Sequence, residues 1–132
     1  MCLTKITSLE KKNFPPKKYG VGYKVVVISS NYKKFQFLWF RKEKPFNKWI
    51  VCYKRPTTKI TADDGKQYPA GFHIFKEKKD AIRYLEPYID NDIVVKVYYR
   101  RVVAEGYQED KGCVVAKKMY VVHNENQGES NV

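Results

Sequence analysis

Acidic residues are almost missing from the first half of this chain. Between 1 and 60 only Glu10 and Glu43 oppose thirteen Lys and two Arg, a net of +13, whereas 61–132 nets −1. The whole excess of +12 therefore sits at one end. Such asymmetry implies an anionic partner for one face, either nucleic acid or an acidic protein surface. Cysteine is scarce, odd in number and scattered (Cys2, Cys52, Cys113), which excludes a disulfide framework and predicts a reducing, cytoplasmic setting. Two histidines, His73 and His123, with no Cys-x-x-Cys pair leave a structural zinc site without ligands. No apolar run approaches the ~20 residues that cross a bilayer, and Met1-Cys2-Leu3-Thr4-Lys5-Ile6 lacks the apolar core of a secretory signal, so no membrane partner is expected. Walker, His-Glu-x-x-His and Gly-x-Ser-x-Gly motifs are absent, and Gly20-Val21-Gly22 stands alone. No cofactor is implied, and the oligomeric state is left open.

What is present suits one domain. The 132 residues are 43% hydrophobic, enough for a core without staples. Residues 1–18, with Pro15-Pro16 and five lysines, read as a basic, extended arm pinned by Leu3, Ile6 and Phe14. Strands are expected at 22–28, at 34–41 with Phe35, Phe37 and Trp39 facing the core, and at 48–54. Ser29-Ser30-Asn31 is a turn, and Lys42-Glu43-Lys44-Pro45 breaks the run. Residues 55–67 read as a loop with a short strand near 59–61 and an Asp63-Asp64-Gly65 turn.

Gly71-Phe72-His73-Ile74-Phe75 reads as a short buried strand feeding the single helical window, 77–86, closed by Pro87. Ala81, Ile82 and Leu85 would face inward, with Lys78, Lys79 and Arg83 outward. A strand over 93–104 puts Ile93, Val95, Val97 and Tyr99 on an apolar face and Lys96, Tyr98 and Arg100 on a basic aromatic one. A polar loop at 105–112 returns it to an antiparallel strand at 113–122. The expected fold is α+β and mainly β: a strongly bent antiparallel sheet or small barrel with one covering helix, spanning 19–122, followed by a disordered polar tail at 123–132.

Three chemistries fit these residues. Tyr32, Lys33, Lys34, Arg41, Lys42, Lys48, Trp49, Tyr53, Lys54 and Arg55 interleave cations with aromatic rings, as a single-stranded nucleic-acid surface does, since cations pair with phosphates and rings stack on bases. The same rings also suit strands for packing alone. Cys2 would become the first residue if the initiator methionine is removed, and its thiol with His73 would form a nucleophile and base. A histidine between Phe72 and Ile74 is equally a structural core residue, and pairing His73 with Glu105 rests on residue type alone. A small sheet rich in Tyr, Trp and Arg could also enclose a nucleotide, making the protein a small nucleotide-ligand sponge.

Met1-Cys2-Leu3, Tyr23-Lys24-Val25, Gly71-Phe72-His73-Ile74-Phe75 with Ala81, and Val115-Ala116-Lys117-Lys118-Met119-Tyr120 together resemble small uncharacterised proteins of phages, prophages and large DNA viruses. The resemblance spans most of the chain in short motifs and carries no established activity. It implies a virus-encoded accessory protein acting in a host cytoplasm, where counter-defence is a common task.

Overall fold

The computed structural model describes residues 3–28, 33–37, 40–52, 58–85 and 92–123. Among the described residues ten strands and one helix are formed in the order β1 (Lys5–Ser8), β2 (Gly20–Ile28), β3 (Lys34–Phe37), β4 (Phe40–Pro45), β5 (Trp49–Val51), β6 (Lys59–Thr61), β7 (Gln67–Pro69), β8 (Phe72–Phe75), α1 (Lys78–Leu85), β9 (Asp92–Gln108) and β10 (Lys111–Val121). The protein is α+β and mainly β, with a strongly curved antiparallel sheet.

The long β9 organises that sheet. One of its edges pairs with β10 along Val97–Gln108, and the other takes β2 near its start and β1 near its end. β10 also pairs with β8 and β5, and β8 meets β2 at Tyr23↔Phe75. Pairings therefore run from β9 through β10, β8 and β2 back to β9, so the sheet curls onto itself. The tight β2–β8 crossing requires Gly22, because a Cβ there would strike the Ile74 side chain and the Phe75 carbonyl oxygen. A register shift opposite Val115/Ala116, with Arg101 at φ 57°, bends β9 midway.

The curl has an apolar interior and a half-covered exterior. Val26, Ile28, Phe35, Ile74, Val95, Val97, Val114, Ala116 and Met119 fill the inside. Outside, α1, β1 and the separate β6–β7 hairpin cover Val25, Phe75, Val94, Val103, Ala104, Cys113 and Val115. Three hydrogen bonds join the hairpin to the segment running into β1: Asp63 N donates to the Leu3 carbonyl (3.2 Å), Ile6 N donates to Asp64 Oδ2 (3.2 Å), and Leu3 N donates to Tyr68 Oη (3.0 Å).

Several sequence expectations shift in detail. The strand expected over 34–41 is two, since Phe37 pairs with Phe40 and the chain reverses between them; the stretch read as a break, Lys42 to Pro45, belongs to β4. The polar loop expected at 105–112 is strand except at Glu109-Asp110, because Gly106 lets the backbone of β1 lie directly against β9. β1 and β7 were not anticipated: each is a short strand held by a longer or neighbouring one rather than by its own pattern. In α1 the buried stripe is Ala81 with Tyr84 and Leu85, the i, i+3, i+4 set, while Ile82 is 44% exposed. Trp39, Glu86, Pro87 and the tail beyond 123 lie outside the described residues. His123 is held, stacking on Phe46 at 4.3 Å and donating its backbone N–H to Asn47 Oδ1.

Candidate functional site

Two polar constellations stand out, one enclosed and one exposed. The enclosed one surrounds His73, which is buried on the outer face of β8 beneath the β6–β7 hairpin. Leu3 N donates to Tyr68 Oη at 3.0 Å, and Tyr68 Oη lies 2.8 Å from His73 Nε2. The Tyr68 hydroxyl and the imidazole Nε2 thus share one hydrogen bond inside the fold. Burial, then the nearby Lys24 ammonium, holds the imidazole at about 3, below its ordinary 6.5. A general base works best with a pKa near the working pH. Every polar atom of this relay has a partner, and the ring is neutral at physiological pH, which suits an anchoring role.

Lys24 belongs to the same region. β2 and β8 share only the Tyr23↔Phe75 register, and next to it the Lys24 side chain reaches the His73 carbonyl oxygen. Lys24 Nζ donates to that oxygen at 2.7 Å and lies 5.3 Å from the Phe37 ring centroid. Desolvation of the amine lowers it from 10.5 to about 8. The residue as a whole keeps partial exposure, so water is stripped from the amine rather than from the full side chain. Cys113, buried nearby, is pushed up to about 12 by desolvation and is inert as a thiol at neutral pH. Glu105 does not meet His73: it pairs with Lys76 at 3.3 Å.

The exposed constellation covers the part of the outer sheet face that α1 leaves bare. Directly paired residues of antiparallel strands share a face. One row across β2, β9, β10 and β5 is therefore Val21, Tyr98, Tyr120 and Trp49. A second is Arg100, Lys118 and Val51; on the other side Tyr23 pairs with Lys96. None of these positions carries an acid. Tyr19, just before β2, leans over Tyr98 with centroids 4.4 Å apart. Tyr98 meets Tyr120 (5.7 Å), Tyr120 meets Trp49 (5.6 Å), and Trp49 returns to Tyr19 (6.4 Å), closing a cluster of four rings. Tyr19 and Trp49 remain 44% and 41% exposed. Lys96 Nζ sits 5.7 Å from the Tyr98 ring centroid.

The basic arm borders this face. Arg100 donates through Nη2 to the carbonyls of Phe14 and Pro15, both at 3.2 Å, and Phe14 packs edge-on against Tyr99. Lys12 forms a bridge with Val102. Lys11, Lys12, Lys17 and Lys18 are exposed along the arm.

Of the residues expected to bind, Trp49 lies at this face, and Lys48 is exposed immediately before it. Lys33 and Lys34 are exposed at the start of β3, across β2 from it. Arg41 and Lys42 have described backbone in β4 only. Cys2, Tyr32, Tyr53, Lys54 and Arg55 lie outside the described residues. The sequence signal for Tyr98 was the basic aromatic alternation of Lys96, Tyr98 and Arg100, and Tyr19 stood among the interleaved lysines and rings of the first half; Tyr120 reaches the cluster only through strand pairing. Among the described residues no group of three or more His, Cys, Asp or Glu could hold a metal ion, and no helix is long and apolar enough to cross a membrane. Comparison with known protein families, with curated proteins and with solved structures finds no match.

Proposed function

We propose that the protein is a non-enzymatic binding protein for nucleic acid, or for a complex that handles it, and that the bare outer face of β2, β9, β10 and β5 is its contact surface. The observation that carries this reading is the coincidence, on one face, of the Tyr19–Tyr98–Tyr120–Trp49 ring cluster with Lys96, Arg100 and Lys118 and no acid in the paired rows. Rings accept bases by stacking, and cations release counterions from phosphates. A ring cluster of this kind could also cage a quaternary ammonium, but the surrounding lysines repel one. The resemblance to small phage and viral proteins adds a setting, host cytoplasm, and a task, counter-defence. The test is fluorescence anisotropy with labelled single-stranded oligonucleotides over a salt series. Binding at low salt that weakens steeply as salt rises supports the reading; no affinity for any nucleic acid at low salt overturns it and redirects the face to an acidic protein.

A second reading, a cysteine enzyme, is favoured by one contact. Leu3 N, one residue after Cys2 in sequence, donates to Tyr68 Oη, the hydroxyl 2.8 Å from His73 Nε2. Mass spectrometry of the purified protein tests it: retention of Met1 eliminates an N-terminal thiol nucleophile. With Met1 removed, rapid labelling of Cys2 by a thiol probe at neutral pH supports it.

A further inference from the structure

The form of nucleic acid follows from the ring cluster. Resting on the binding role proposed above, we infer that the face selects unpaired strands, holding one base between Tyr19 and Trp49 with Tyr98 and Tyr120 as its floor. Bases stack at about 3.4 Å, so a base between two rings needs them about 7 Å apart. Tyr19 and Trp49 are the two most exposed rings of the four, and their centroids lie 6.4 Å apart at an interplanar angle of 61°. Rotation about side-chain bonds brings such rings face to face without moving the backbone. Tyr98 and Tyr120, directly paired on neighbouring strands and more enclosed, close the bottom of the slot.

Charge sits where a strand's phosphates would pass. Each slot ring directly follows an exposed lysine: Lys18 precedes Tyr19 and Lys48 precedes Trp49. Lys96 lies to one side of the ring row and Lys118 to the other. Four strands at a spacing of about 4.8 Å make the row roughly 14 Å wide, enough for a few nucleotides and no more. A duplex keeps its base faces stacked inside and could use only the lysines, so it forfeits the slot.

The experiment compares four ligands on the full chain at one low salt concentration: a labelled single-stranded ten-mer, the same strand with its central bases removed, the matching duplex, and polyphosphate. The base-bearing strand should bind about tenfold more tightly than the other three. Tyr19→Ala with Trp49→Ala should erase that preference while leaving salt-dependent binding to all four, and Tyr19→Phe with Trp49→Phe should restore it; circular dichroism confirms that both doubles fold. Equal affinity of wild type for all four ligands overturns the base slot and leaves a general polyanion surface. Failure to bind any nucleic acid overturns the binding role itself. Binding to phosphatidylserine vesicles in place of every nucleic acid overturns both and assigns the face to a membrane.

Discussion

At the scale of residues, the structure turns on a few buried polar atoms whose partners are fixed by geometry. Tyr68 Oη accepts from Leu3 N and shares a hydrogen bond with His73 Nε2, so Tyr68→Phe strands two buried groups at once. That change should cost about 1–3 kcal/mol, read as a lowered urea midpoint with an unchanged slope. His73 shifts downward in the fold, from 6.5 to about 3. Between these values the native state holds fewer protons than the unfolded chain, so the stability from the neutral ring is complete above pH 6.5 and is lost as pH falls toward 3. Urea titrations at pH 7 and pH 4.5 should show this loss in the wild type and a smaller one in His73→Gln; equal losses would remove the histidine from the acid response. Lys24 works in another window, lowered from 10.5 to about 8. Its protonated form is the one that burial penalises, so stability should rise from pH 8 to pH 10, and Lys24→Met should flatten that rise.

At the scale of elements, β9 does what no single motif announces. Its Ile93-Val95-Val97-Tyr99 and Lys96-Tyr98-Arg100 alternation was legible, because strand side chains alternate with a period of two. Its full extent to Gln108 was not, since Glu105 to Gln108 is polar and becomes strand only by pairing with β1 and β10. The helix was legible within a residue at its start, but its inward stripe was not: Ile82 is apolar yet exposed, because Phe75 and the strands beneath favour Tyr84 and Ala81. Beyond the β1 pairing and the Lys12–Val102 bridge, the Phe14-Pro15 stretch of the arm is held by Arg100. Arg100→Ala should therefore quicken tryptic cleavage at Lys17 and Lys18 with a stability loss of about 1 kcal/mol or less, measured by time-resolved gel and urea melt. Gly22→Ala should cost more, about 1–3 kcal/mol, because the added methyl forces β2 away from β8.

At the scale of the molecule, the charge asymmetry of the chain is redistributed by folding. The first half supplies the lysines of the arm and Lys48 just before β5, and the second half supplies Lys96, Arg100 and Lys118, so the cations at and around the face come from both. With about five cations at phosphates, the logarithm of the affinity for single strands should fall with log salt at a slope of roughly −3.5, and Lys96→Gln with Lys118→Gln should make it shallower by about 1.4. A slope near zero would remove charge from the interaction.

The sequence by itself determined the fold class, the buried strand Phe72–Phe75 with its helix, and the basic aromatic alternation of β9, because these are local periodicities and propensities that a chain carries wherever it folds. The tertiary structure alone decided that Tyr19, Trp49, Tyr98 and Tyr120 are neighbours and that His73 is a neutral anchor. Both depend on pairings between residues up to about eighty positions apart, and no local pattern encodes strand register or the desolvation it imposes.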